Sequence, residues 1–258
     1  MADSEDDDGE GERRYRAPAL EKGLDILELL AAESAPVTLT GIVNRLGRSH
    51  GELFRMVQVL EFRGFIEQDP SSDGYRLTDR LFSLGMQQPR TRTLIELALP
   101  VMRQLTVAVG QACHLALHTL GEMVVVARIE APGNQGYSVR VGYHRPLIDS
   151  TSGLVLYAFQ PEETRDEWRA RLASTVTPKV WKAFDERAAT ARSQKHVRAD
   201  SNVTKHLVDL SAPVMGNDEV VAALTCPYIE TPLAIPIKDT VAAIRSTAND
   251  ISSKIRSG

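Results

Sequence analysis

The chain has only two cysteines, Cys113 and Cys226, in 258 residues. They stand far apart and without metal-ligand spacing, so neither a disulfide framework nor a zinc knuckle is expected. That economy fits a reducing compartment and a cytoplasmic protein. No apolar run approaches the roughly 20 residues that a membrane-spanning helix needs. The first residues are acidic and lack an apolar core, so no signal peptide is expected and no membrane is an expected partner. Catalytic spacings are missing too: there is no carboxylate pair, no nucleophile with a placed base and acid, and no phosphate loop. Ser150-Thr151-Ser152-Gly153 lacks the Gly-x-Ser-x-Gly elbow. His114 and His118 are four apart, but they lie in a strand-like run with no third ligand evident. No enzyme, no cofactor and no metal site is therefore expected.

An excess of positive charge is also lacking, because the formal net charge is −4. Seven of the 34 acidic residues fall in the first twelve positions, leaving 30 basic residues against 27 acidic ones. This opening reads as a disordered, self-repelling tail, followed by a short basic arm of Arg13, Arg14 and Arg16. Residues 1–16 are set aside on that ground. The hydrophobic share of 43% supports packed cores, and the length allows two ordinary domains.

After Pro18, Leu20, Leu24, Leu27 and Ala31 repeat at helical spacing. Thr38 caps a second helix with Leu39, Ile42, Val43 and Leu46 inward, and Gly47 ends it. A third helix starts at once with the capping box Ser49-His50-Gly51-Glu52, and Leu53, Met56, Val57 and Leu60 form its apolar face. Residues 65–68 and 75–77 read as strands joined by a turn-rich hexapeptide. Three short helices and a hairpin predict a winged helix-turn-helix over residues 17–77, with the third helix held proud of the surface. Its outward residues, with those near its start and on the hairpin, are the candidate contacts to double-stranded DNA: Thr38, Arg45, Arg48, Ser49, His50, Gly51, Phe54, Arg55, Gln58 and Arg76. Helix N-terminal N–H groups suit phosphate, and Arg, His and Gln suit phosphate or base edges. Residues 17–90 hold eight Lys or Arg against ten Asp or Glu, so binding requires positive charge to be gathered on one face.

A short apolar helix with Leu81, Phe82 and Leu84 follows, and residues 78–92 read as a linker that ends in a boundary at Pro89-Arg90-Thr91-Arg92. An exposed apolar helix between domains predicts self-association. The second domain, 93–258, opens with a long helix. Strands are expected at 112–119, 123–130, 137–143, 206–215 and 219–227, with helices at 153–159, 161–173, 178–193 and 236–255. The fold class is α+β, an antiparallel sheet with segregated helices.

The order of these elements and several motifs resemble the IclR family of regulators. The resemblance rests on Ala19-Leu20-Glu21-Lys22-Gly23-Leu24-Asp25-Ile26-Leu27, Phe54-Arg55-Met56, Gly64-Phe65-Ile66, Gly142 with Arg145-Pro146-Leu147, Gly153, and Ser211-Ala212-Pro213-Val214. It implies a DNA-binding domain, a dimerising linker helix and an effector domain with a GAF-like or profilin-like sheet. It implies a homodimer, with a tetramer through the effector domains, palindromic or pseudo-palindromic operators, and small organic effectors, often carboxylic or aromatic acids, controlling catabolic or metabolic genes. The implied effector residues are Ser150, Thr151 and Ser152 in the loop before a helix, with Leu207, Asp209 and Thr225 from the last strands. Ile148 and Leu154 stand where the family motif has histidine and lysine. That takes the cation out of the loop and favours a neutral, hydroxyl-bearing or aromatic effector. Asp209 would repel a carboxylate unless a base such as Arg128 or Arg140 offsets it. The competing readings are an enzyme with an accessory helix-turn-helix and an architectural DNA binder whose large domain only assembles.

Overall fold

A computed structural model describes residues 17–133 and 136–257. The acidic tail and basic arm lie outside the described residues. The chain divides into two compact units between Gln88 and Pro89.

The first unit contains α1 (Pro18–Ala32), β1 (Val37–Thr38), α2 (Leu39–Leu46), α3 (His50–Phe62), β2 (Ile66–Gln68), β3 (Gly74–Leu77) and α4 (Arg80–Met86). Its core is Ile26, Leu30, Val37, Ile42, Leu53, Val57 and Ile66, from α1, β1, α2, α3 and β2, with Tyr75 and Leu77 of β3 packed against it. In α2 and α3 these are inward positions of the expected repeats, whereas α1 turns Ile26 and Leu30 to the core and leaves Leu20, Leu24 and Ala31 exposed, so its expected repeat is not the buried face. Thr38 caps α2 by accepting from the Gly41 N–H at 3.2 Å. Gly47 ends α2 in the left-handed region at φ 61°, where a residue without Cβ carries no penalty. Two residues later α3 begins, and the Glu52 carboxylate accepts from Ser49 N–H at 3.1 Å and Ser49 Oγ at 2.8 Å. The hairpin is joined by β1, which pairs Val37 with Tyr75 and makes a three-stranded wing of order β1-β3-β2. Two residues are too short a run to be read as a strand from sequence.

The second unit contains α5 (Pro89–Val109), β4 (Cys113–Thr119), β5 (Glu122–Ile129), β6 (His144–Pro146), α6 (Thr151–Ala158), α7 (Glu162–Arg171), α8 (Pro178–Gln194), β7 (Val197–Asp200), β8 (Val208–Met215), β9 (Val220–Tyr228) and α9 (Ile237–Ser257). The strands form one antiparallel sheet of order β6-β5-β4-β9-β8-β7. Side chains alternate across it: Cys113 lies against Met102 of α5, while its neighbour His114 faces Ser152 of α6. The α5 and α9 helices pack together on the sheet, and α6 covers the strands from its other side. Fully buried Tyr157 anchors α6: its hydroxyl donates to Asp185 of α8 at 2.7 Å and accepts from Arg169 of α7 at 2.8 Å.

Three further expectations change here. The boundary falls at Pro89, but Pro89-Arg90-Thr91-Arg92 already forms the first turn of α5 instead of a linker before a helix at 93, because a proline at a helix start loses no intrahelical bond. Residues 137–143 contribute no strand, and the edge is the short β6 at 144–146. The β7 strand at 197–200 forms where no strand was expected, and it is held by pairing with β8. The two cysteines, distant in sequence, sit on neighbouring strands as free, buried thiols.

Candidate functional site

The start of α3 carries the candidate DNA face. His50, Gly51, Phe54, Arg55 and Gln58 are exposed along it, and the His50 and Phe54 rings stack with centroids 6.0 Å apart. The basic residues around it are less free than the sequence implied. Arg48 donates to Asp25 of α1 at 2.7 Å, Arg45 lies 3.2 Å from Glu33, and Arg76 of the wing pairs with Glu67 at 2.7 Å and Asp69 at 3.7 Å. These pairs are surface contacts, worth at most about 1 kcal/mol each, so a phosphate can exchange for the carboxylate. Among the described residues none pairs with the Arg55 guanidinium. Lys22 of α1 reaches Glu52 at 2.6 Å and ties α1 to the first turn of α3.

The second unit encloses a cavity of about 250 Å³ between its sheet and the first turn of α6. Ser150, Thr151, Ser152, Asp209 and Thr225 all line it. Leu207 does not: it is 2% exposed, just before β8, and is not among the residues that border the cavity. Ser150 caps α6 by accepting from the Gly153 N–H at 2.9 Å. A Cβ on Gly153 would stand 2.1 Å from the Leu147 carbonyl oxygen, so only glycine lets this turn lie against the preceding one. Thr151 Oγ1 donates to Asp209 Oδ2 at 3.3 Å, and Ser152 Oγ lies 2.9 Å from Thr225 Oγ1. The loop hydroxyls therefore pin α6 to the sheet as well as bordering the cavity.

Burial pushes the Asp209 carboxyl up to about 6, against the opposing pull of the Thr151 hydroxyl and the Arg145 charge. Burial also draws His114 down to about 4, so its ring is neutral. His114 and His118 part company despite their spacing: His114 borders the cavity, whereas His118 stacks on Trp168 with centroids 3.6 Å apart and accepts from the Gly121 N–H at 3.1 Å.

Similarity to known proteins now bears on the chain. The description "IclR helix-turn-helix domain" matches residues 19–70, and "Bacterial transcriptional regulator IclR C-terminal" matches residues 88–253. The chain belongs to the IclR family. It is a DNA-binding transcriptional regulator of that family, built from an N-terminal helix-turn-helix and a C-terminal α+β domain with a curled sheet. A relative, the glycerol operon regulatory protein of Streptomyces griseus, is 28% identical over 249 residues, spanning 93% of this chain and 97% of the relative. An IclR homolog from Microbacterium hydrocarbonoxydans, solved in complex with 4-hydroxybenzoate, superposes with a TM-score of 0.78 at 23% identity, covering 93% of this chain and all of the homolog. HmgR of Pseudomonas aeruginosa gives 0.72 at 24% identity, over 93% and 100% of the two chains. At these identities the structural likenesses establish the fold.

In this IclR-family regulator the cavity holds residues that sequence reasoning missed. Arg145 lines it beside Arg140, one of the two bases that the sequence offered against Asp209, so positive charge reaches the cavity from residues 140–145 although Leu154 removes it from the loop. Arg128, the alternative base, instead pairs with Glu130 at 2.8 Å. His114 reads from sequence as a structural strand histidine. Its position opposite Thr225 depends on the β4–β9 register, which one sequence does not disclose. Tyr137, Tyr143 and Met123 supply apolar and aromatic wall.

Proposed function

We propose that this IclR-family protein is a cytoplasmic, non-enzymatic regulator that reads its operator through α3 and is controlled by a small carboxylic or hydroxylated metabolite in the cavity beneath α6. The observation that carries this reading is the cavity itself: about 250 Å³ bordered by Arg140, Arg145, Asp209 and a set of hydroxyls. At about 30 Å³ per water, it has the capacity of about eight waters, the scale of a small metabolite. Apolar wall with a few convergent polar groups is the usual make-up of a ligand site. The relative complexed with 4-hydroxybenzoate supports an aromatic or carboxylic effector. With two arginines on the cavity, an acid now fits better than the neutral phenol that the loop alone favours.

On the DNA side, His50, Phe54, Arg55 and Gln58 would enter the groove, while Arg45, Arg48 and Arg76 would exchange carboxylates for phosphates. Leu81, Phe82 and Leu84 of α4 are 39%, 65% and 44% exposed in the single chain, and we assign them to a homodimer contact. A dimer implies palindromic or pseudo-palindromic sites. The test is selection of duplexes from a random pool by the full chain, then release of the selected duplex by a panel of small acids and phenols. An enriched palindrome released by one member supports the reading. Enrichment without any release favours the architectural alternative.

A further inference from the structure

Phe54 is an aromatic residue on the side of α3 that faces away from the core. It shares the exposed side with His50, Gly51, Arg55 and Gln58, while Leu53 and Val57 are buried, and it remains 39% exposed. Its ring stacks on that of His50, one turn earlier, with centroids 6.0 Å apart and planes 15° from parallel. The stack holds the Phe54 ring before anything docks, so less side-chain freedom is lost on docking.

Gly51 stands beside this pair, and nothing in its own unit calls for glycine. Its φ lies outside the left-handed region, and a Cβ built on it would meet nothing within 4 Å. Alanine is the better helix former there. What the missing methyl leaves is bare backbone on the exposed side, open to close approach by another surface.

The surface this unit meets is duplex DNA, because the helix-turn-helix match spans residues 19–70. In that motif the N-terminal part of the recognition helix meets base edges in the major groove. The base edges there carry hydrogen-bonding groups and one apolar group, the C5 methyl of thymine. A phenylalanine ring carried into the groove therefore finds its apolar contact at thymine. Over cytosine the ring would strip water from the N4 amino group and return no hydrogen bond. Val59 and Phe62 are exposed as well, but they lie about 8 and 12 Å farther along the axis at about 1.5 Å per residue, beyond the end that enters the groove.

We propose that Phe54 is a specificity-determining residue of the DNA-binding unit: it reads thymine through the C5 methyl, with His50 fixing its ring and Gly51 letting α3 sink far enough into the major groove for the contact. This rests on reading α3 as the helix that enters the groove.

The test uses the full chain and the duplex that it enriches from a random pool. Each thymine is replaced in turn by deoxyuridine, which lacks only the C5 methyl. Fluorescence anisotropy at fixed salt then compares wild type, Phe54→Ala, Arg55→Ala and Gly51→Ala. At one or more thymines wild type is expected to lose about fourfold in affinity, the effect of returning one methyl group to water. Phe54→Ala is expected to bind the thymine and deoxyuridine duplexes equally at those positions. Gly51→Ala is expected to weaken binding severalfold while its urea midpoint holds or rises. An enriched duplex without thymine, no deoxyuridine loss in wild type, or a loss that persists in Phe54→Ala overturns the role of Phe54. Weaker binding by Arg55→Ala in those cases leaves α3 standing as the reading helix. Gly51→Ala binding as tightly as wild type overturns the role of Gly51. If none of the three substitutions weakens binding, α3 does not enter the groove, and this inference falls with that reading.

Discussion

Thr151 Oγ1 donates to Asp209 Oδ2 at 3.3 Å, tying the first residue of α6 to the second residue of β8. The bond stabilises the charged carboxylate, whereas burial, the larger effect, favours the neutral acid. The folded carboxyl titrates near 6, above its ordinary 3.8. Its contribution to stability is therefore fully present below about pH 4 and is lost as pH rises through 6. Holding the carboxylate charged in this site at neutral pH costs about 3 kcal/mol, at about 1.36 kcal/mol for each tenfold change in proton affinity. Asp209→Asn is expected to stabilise the C-terminal unit by about 1–3 kcal/mol at pH 8 and by little at pH 4, as read by urea unfolding. A gain of the same size at both pH values would mean that the carboxyl is not displaced by burial.

Thr151→Val removes the opposing hydroxyl bond. The Asp209 titration, followed by carboxyl carbon-13 NMR, is expected to move further above 6. Movement downward would contradict the bond.

Arg55 is the α3 arginine with no carboxylate partner among the described residues, so Arg55→Ala should weaken specific duplex binding by about 1–3 kcal/mol. The check is fluorescence anisotropy on a selected duplex at fixed salt. Asp25→Asn and Glu33→Gln release Arg48 and Arg45 from their partners. Each should tighten binding by less than about 1 kcal/mol and steepen its salt dependence. Weaker binding in both would show that the carboxylates hold the arginines in their DNA-bound poses.

The shared exposure of Leu81, Phe82 and Leu84 predicts that Phe82→Glu shifts the chain toward monomer in light scattering at micromolar concentration. Operator affinity should fall with it, because one recognition helix then reads one half-site. A variant that stays dimeric places the contact elsewhere.

Much of the fold was legible because it rests on local rules. The caps at Thr38 and Ser49, the stop at Gly47 and the inward repeats through Ile42 and Leu53 act within a few residues of themselves. The cavity's loop was legible through the resemblance carried by Arg145-Pro146-Leu147 and Gly153. What stayed hidden depends on contacts made at a distance. The β4–β9 register turns His114 from a strand residue into a cavity wall, and Leu207, just before β8, is not among the residues that border it. Likewise the carboxylates opposite Arg45 and Arg48 come from α1 and the residue after it, and no spacing rule on α3 points to them.

The most direct test of the account is calorimetric titration of the full chain with aromatic acids, short keto acids and neutral phenols, repeated with Thr151→Val and Asp209→Ala. The account predicts that one small acid binds the wild type and that each substitution changes its affinity severalfold or more. An effector that binds wild type and both variants with the same affinity would place its site outside the cavity beneath α6 and contradict the account.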